Sequence, residues 1–308
     1  MAELTIVRPG MLTTVQDLGR WGYQGSGVPV AGPMDEYAHR LANDLVGNPD
    51  SAAALEITLL GPEIRSDAEA LCAATGATFE LAVDGVPVPM NAPFTVGAGS
   101  RLRFGNRLAG SRAALAVRGG IDLPPAFGSR ATSLVSRLGP FGGRALRAGD
   151  VLPLGSDPGG APGPAGRPMR LPAGGARVRV VMGPHDAMFT ATAVETLLTA
   201  PFAITTQSNR MGYRLQGPAL AHVGSAEILS DATPMGSVQV PGSGQPILLM
   251  ADRQTTGGYP KIATVIAADL PVVGQLAPGD WIRFIAVTRG AALEALQARE
   301  ARLSGGSR

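Results

Sequence analysis

The sequence predicts a mostly β protein with a few helices, built as two strand-rich halves. Three observations carry that expectation. Gly 42 and Pro 26 in 308 residues, with no G-X-Y period, call for many turns and short strands rather than collagen or disorder. Short apolar runs bounded by Gly, Pro or Asp recur along the whole chain and read as strands. Between them, Gly155–Gly175 is more than half Gly and Pro, so it can build no periodic apolar face and reads as a linker or long loop. A chain of this length fits two domains of ordinary size better than one core.

The strand runs are Leu4–Val7, Leu55–Leu60, Phe79–Val83, Leu102–Phe104, Ala114–Val117, Val178–Met182, Ala203–Thr206, Ile247–Met250 and Trp281–Val287. Each half ends on a similar device, Gly149-Asp150-Val151-Leu152 and Gly279-Asp280-Trp281-Ile282. Both read as a Gly-Asp turn entering a closing strand. Three helices are expected. Asp35–Val46 carries an apolar stripe of Tyr37, Ala38, Leu41, Ala42 and Leu45, and Gly47-Asn48-Pro49 stops it. A second covers Ala187–Leu198 with Asp186 as its N-cap. The third, Ala291–Leu303, is Ala-rich and expected on the surface. So many short strands with so few helices imply barrels or sandwiches, not a doubly wound sheet. The expected boundaries are 1–155 and 176–290 for the two domains, 156–175 for the linker, and 291–308 for a terminal helix and tail.

Composition excludes several functions. With a net charge of +2 and no basic block interleaved with aromatics, nucleic acid is not an expected partner. Cys72 is the only cysteine, so no internal disulfide exists and the residue reads as a small buried hydrophobe. His39, His185 and His222 are the only histidines, and no Cys/His spacing of a metal site occurs. The first ten residues carry no basic-then-apolar leader pattern, and the apolar runs are too short to span a bilayer. A cytoplasmic location with no membrane partner is expected. Of the 26 basic residues all but Lys261 are arginine. Either Lys261 is a chance survivor of an Arg-rich composition, or function needs a compact, mobile ammonium there.

No P-loop, dinucleotide fingerprint or serine nucleophile elbow is present. What remains is four polar, Gly-rich loops. The first holds Thr14, Gln16, Asp17 and Arg20, followed by Gly32-Pro33-Met34-Asp35. The second holds Arg118, Asp122 and Arg130, and the third Ser208, Arg210 and Arg214. The fourth runs Asp252-Arg253-Gln254-Thr255-Thr256-Gly257-Gly258-Tyr259-Pro260-Lys261. Gly admits a ligand close to the backbone, while Arg and backbone N–H groups receive carboxylate or phosphate oxygens. Asp35, Arg253 and Lys261 are the candidates for direct catalytic roles, and the other named polar residues, Gln254, Thr255, Thr256 and Tyr259 among them, for substrate or nucleotide binding. Asp-Arg pairs in tight loops also tie a loop to itself, so each motif has a structural reading beside the functional one. His39 is expected on the polar side of its helix, and Met34 and Met211 are expected to pack.

Four runs carry a resemblance: Pro9–Asn48, Leu115–Pro124, Ser208–Pro218 and Gln239–Pro271. In them the chain resembles the biotin-dependent carboxyltransferase family, from Leu4 to about Phe284. That family includes the C component of bacterial ATP-dependent 5-oxoprolinase, the antagonist of a sporulation-kinase inhibitor, and part of urea carboxylase. The older family label is allophanate hydrolase subunit 2. The resemblance implies a pair of cyclophilin-like β-barrel domains. It also implies a hetero-oligomer with the 5-oxoprolinase B component, a kinase-inhibitor-like protein, and the lamB-like A component. It further implies ATP, with Mg2+, used in the complex to open the lactam 5-oxoproline to L-glutamate, with a chain that is inactive alone. Two departures occur: Pro33 stands where a small residue such as Ala is expected, and Ala131 where Ser is expected beside Arg130.

Two other functions compete. One is a carboxyltransferase component moving a carboxyl group from carboxybiotin to a small amide such as urea. Lys261 lies in Tyr-Pro-Lys-Ile rather than beside Met, so biotin is not expected on this chain. The other is a regulatory binding protein that sequesters its kinase-inhibitor-like partner and relieves a kinase.

Overall fold

The computed structural model describes residues 2–163 and 167–304, so 164–166 of the expected linker and 305–308 of the expected tail lie outside the described residues. With 35% strand and 17% helix the protein is mostly β. Two compact units form, Met1–Trp21 with Ala31–Leu171, and Gly22–Val30 with Pro172–Arg308. The short segment 22–30 thus groups with the second unit, which no composition shift announces.

The first unit is a curled, nine-stranded antiparallel sheet. Along it run Leu12–Gln16, Ala54–Thr58, Arg101–Val117, Glu63–Ser66, Glu3–Arg8 and Val151–Pro153, while Ala70–Val83 pairs with Arg101–Val117 and with two short strands, Val86–Val88 and Pro93–Val96. The runs Leu102–Phe104 and Ala114–Val117 belong to one long strand. Within it Gly110 takes φ 70°, and its pairing with Ala70–Val83 slips at Gly76, Thr78 and Phe79, as bulges do when they curl a sheet. Leu4, Ile6, Val15, Leu55, Ile57, Phe79, Leu115 and Leu152 build the core, with Cys72 buried among them. Burial pushes the Cys72 thiol up to about 12, so it is inert packing.

The helix is Glu36–Leu45, capped where Asp35 Oδ1 accepts from the Ala38 N–H at 2.9 Å. Its apolar stripe is buried, and Gly47 at φ 75° ends it with the Asn48 N–H returning to the Asn43 carbonyl. His39 is a correction. It is 2% exposed, because the buried face is wide enough to take it and Asn43 inward as well.

The second unit is a closed barrel of seven strands. In order around it lie Gly175–Met182, Lys261–Val265, Ser237–Gln239, Ile247–Leu249, Gly212–Gln216, Phe202–Ile204 and Trp281–Ala286. Trp281–Ala286 closes the ring parallel to Gly175–Met182, and the other pairs are antiparallel. Closure leaves no unpaired edge. Val178, Val180, Phe202, Tyr213, Leu215, Val238, Leu248, Ile282 and Phe284 fill the interior. The helix expected from Asp186 begins later. Asp186–Met188 is a single 3-10 turn, and the helix proper is Ala191–Thr199 with Thr190 Oγ1 accepting from the Ala193 N–H. The last helix, Arg289–Leu303, buries no residue.

The two Gly-Asp turns are the same structure. Gly149 and Gly279 take φ 88° and 96°. The N–H of each donates to an isoleucine carbonyl, Ile6 or Ile204, at 2.8 Å, and that isoleucine's N–H returns to the Asp150 or Asp280 carbonyl. Each aspartate side chain also accepts from the N–H three residues earlier, on Arg147 or Ala277.

Candidate functional site

In the first unit the first two loops come together around Asp17. Its carboxylate accepts from the Gly19 N–H at 2.9 Å, the Ser129 hydroxyl at 2.6 Å and the Arg130 N–H at 2.5 Å. Arg20, 1% exposed, donates to the Ala126 and Ala131 carbonyls. Gln16 donates to Thr14 Oγ1 and the Thr132 carbonyl. The Arg130 guanidinium donates to the Leu123 carbonyl and to Asp122, and Arg118 joins Asp157 while closing the helix end through the Val46 carbonyl. These charges hold loops in place. Beside them lies an open cleft of about 320 Å³ lined in part by Asn48, Gly120, Asp122, Arg130 and Ser156.

Asp35 is 7% exposed. With His39, Glu56 and Arg112 it lines a cavity of about 10 Å³, the size of one water molecule. Glu56 and Arg112 are not among the sequence candidates. Glu56 is a charge inside the apolar run Leu55–Leu60, which is the signal that marks it, whereas Arg112 lies in a strand with several other arginines and has no such signal. Glu56 accepts from the Met34 N–H at 2.6 Å, and Met34 packs here as expected. Asp35→Ala is expected to cost about 1 kcal/mol for the lost cap, whereas Asp35→Asn, which keeps an acceptor, retains most of that stability. Urea midpoints of the two variants against wild type check this.

In the second unit the third and fourth loops are joined by a buried ion pair. Arg210 Nε and Nη2 meet the Asp252 carboxylate at 3.1 and 3.2 Å, with side chains 4% and 0% exposed. Arg253 donates to the Thr233 and Met250 carbonyls, and burial lowers it to about 10. Ser208 exchanges hydrogen bonds with the backbone of Arg214.

The remaining groups gather on the outer face of the barrel. Arg214 is paired with Ile247, Ile247 with Gln239, and Gln239 with Lys261. Opposed residues on antiparallel strands point to one face, so these four form a row across four strands, about 14 Å long at the usual strand spacing. A two-stranded ribbon, Asp231–Ala232 with Thr256–Gly257, touches the Lys261 end. The sequence reads Lys261 as a loop residue; the structure corrects this, since it opens the strand Lys261–Val265 and is 2% exposed. Its ammonium donates to Asp231 Oδ2 at 2.7 Å and the Ala232 carbonyl at 2.9 Å. That hydrogen bond holds the Asp231 carboxyl below its usual range. Gln239 lies 3.4 Å from both Gln254 and the Tyr259 carbonyl. The Thr255 carbonyl accepts from the Thr233 N–H at 3.1 Å, and a side chain at Gly257 would sit 2.7 Å from Gln239 Nε2. His185 accepts from the Lys261 N–H at 3.3 Å; burial, and then the nearby Lys261 charge, lower its pKa. Asp231, Gln239 and His185 escape sequence reasoning here, since only the folded barrel brings them to Lys261.

A carboxyltransferase-domain model covering subdomains A and B matches residues 26–286. The chain belongs to this family. The carboxyltransferase-family chain is 42% identical to the 5-oxoprolinase C component of Escherichia coli, over 96% of its own length and 94% of that protein. The Haemophilus influenzae protein of the same name is 39% identical over 89% and 88%. Among solved structures, the Kluyveromyces lactis urea amidolyase superposes with a TM-score of 0.94 at 32% identity, over 99% of this chain. The chain spans 20% of that larger protein.

Proposed function

We propose that this carboxyltransferase-family chain is the C component of an ATP-dependent 5-oxoprolinase, acting with the B and A components to open 5-oxoproline to L-glutamate. One observation carries the reading. The match to the E. coli 5-oxoprolinase component runs nearly end to end on both proteins, at 96% and 94%, whereas the chain covers only 17% of one curated urea amidolyase and 24% of a urea carboxylase.

The chemistry suits the groups on the barrel. A lactam carbonyl resists water; a phosphoryl group placed on its oxygen makes the carbon electrophilic, and water adds. The tetrahedral centre collapses with the C–N bond breaking and the protonated ring nitrogen leaving. The resulting acyl phosphate is hydrolysed by a second water to the carboxylate and inorganic phosphate. Substrate and nucleotide both bring anionic oxygens, and the Lys261 end of the row offers an ammonium near two carboxamides. No three His, Cys, Asp or Glu side chains converge as a metal set among the described residues, so Mg2+ would enter on the nucleotide's own phosphates. Biotin would reside on another protein in any transferase reaction, because the only lysine is 2% exposed and ion-paired. No helix among the described residues is long and apolar enough to cross a membrane, and the reading places the complex in the cytoplasm with its ATP.

Lys261→Met, which keeps the packed stem and removes the charge, is expected to lower ATP-dependent glutamate release by the reconstituted complex about tenfold or more. Its effect on stability should be small, because the methionine keeps the buried stem packed and the Asp231 carboxylate it leaves is half-exposed to water. Lys261→Arg tests geometry, since a guanidinium fork cannot follow an ammonium's path. Full activity in both variants would leave Lys261 a structural tie to the ribbon.

A further inference from the structure

The cations of the second unit differ in what holds them. Arg210 is matched by Asp252, Lys261 by Asp231, and Arg179 by Asp269. Arg253 is spent on carbonyls. Arg214, like the exposed Arg177, has a guanidinium that no hydrogen bond or ion pair engages among the described residues, and of these two Arg214 lines a cleft. It projects outward from the strand Gly212–Gln216, where Tyr213 and Leu215 take the interior. Its backbone is fixed on both sides, by Ser208 and by pairing with Ile247.

Arg214 opens into a cleft of about 640 Å³ on the same barrel face. Thr205, Thr206, Gln207, Gln216 and Ser243 supply its polar lining, Pro241, Pro246 and Ile247 its apolar floor, and no lining residue is acidic. No aromatic ring lines the cleft, which leaves no platform for a nucleobase.

We propose that this cleft binds the carboxylate of a small polar molecule that also carries an amide. The carboxylate takes the planar fork of Arg214 in two parallel hydrogen bonds. The amide reaches the side chains of Gln207 and Gln216. The cleft is therefore a carboxylate site at the Arg214 end of the row, separate from the Lys261 end.

Titration calorimetry and saturation-transfer NMR on the full chain test it with three probes: N-acetylglycine, 5-oxoproline and the uncharged 5-oxoprolinamide. The two carboxylates are expected to bind and the neutral amide not to. Arg214→Gln should weaken binding about tenfold or more, as loss of a bidentate charged pair does, with an unchanged melting temperature because the side chain is exposed. Arg177→Gln, at an exposed arginine elsewhere on the barrel, should leave binding intact. Binding of N-acetylglycine without 5-oxoproline would uphold the cleft as a carboxylate site and show that the cleft does not take 5-oxoproline. The proposal is overturned if neither carboxylate binds, or if Arg214→Gln binds them as tightly as wild type.

Discussion

Asp252→Ala is expected to destabilise the second unit by about 3–5 kcal/mol, the cost of stripping a buried cation of its carboxylate. The pair is closed to solvent, with Asp252 at 0% and Arg210 at 4% side-chain exposure. The Asp252 N–H also donates to the Arg210 carbonyl at 2.8 Å, so the two loops are tied through backbone and side chain together. Against a total stability of about 5–15 kcal/mol, such a loss leaves the barrel marginal. Substituting both partners at once, Arg210→Met with Asp252→Leu, should recover much of it, because no unmatched charge then remains. Trp281 reports on this unit and Trp21 belongs to the other, so Trp21→Phe isolates the relevant fluorescence in a urea titration. A loss under about 1 kcal/mol in Asp252→Ala would contradict the buried-pair account.

The second large effect is a loss of stability in acid that traces to His39. Burial is the main cause that lowers its pKa from 6.5 to about 4, with the Asp17 charge opposing it. Its Nε2 faces the Asn43 amide at 3.2 Å, and that amide also donates to the Ala52 carbonyl, an arrangement that suits neutral imidazole. Below pH 6.5 the unfolded chain gains a proton that the folded chain refuses. The contribution is therefore fully present above pH 6.5 and is lost as pH falls towards 4. Each pKa unit corresponds to about 1.4 kcal/mol, so the full loss is about 3 kcal/mol. The difference in urea-derived stability between about pH 7 and about pH 4.5 should shrink by about 2–3 kcal/mol in His39→Gln. An unchanged difference would show that His39 takes up its proton in the folded state.

The class of fold was legible because turn residues and short apolar runs are local signals. The helix Glu36–Leu45, with its Asp35 cap and Gly47 stop, and both Gly-Asp turns are written in consecutive residues. Polar residues in buried strands are harder to read. Thr13, Thr14 and Gln16 hide the strand Leu12–Gln16 behind a loop-like composition, although all three are buried. Lys261 reads as the end of a loop for the same reason, when it begins a strand. The second helix starts at Thr190 rather than Asp186 because a 3-10 turn intervenes. Two barrels are expected from the resemblance. The second unit closes, while the first is a curled half-barrel in which Leu12–Gln16 and Val151–Pro153 stand at opposite ends of the strand path.

The candidate residues divide along physical lines that spacing could not reveal. Asp17, Arg20, Arg118, Arg130, Arg210, Asp252 and Arg253 all spend their charge on neighbouring loops and carbonyls. Arg214, Gln239 and Lys261 lie on one barrel face, assembled by the register of four strands, with Gln254 beside Gln239. Register depends on contacts between distant segments, so no single loop announces the row.

The role proposed for this chain is to complete an ATP-dependent lactam hydrolase. Its most direct test is glutamate release from 5-oxoproline, with ATP and Mg2+, by the three components together and with each omitted in turn. Turnover by the complete set, with coupled ATP hydrolysis, is expected, and none when this chain is left out or is present alone. Undiminished glutamate release without this chain, or turnover of urea by the complete set that depends on added carboxybiotin, would contradict it.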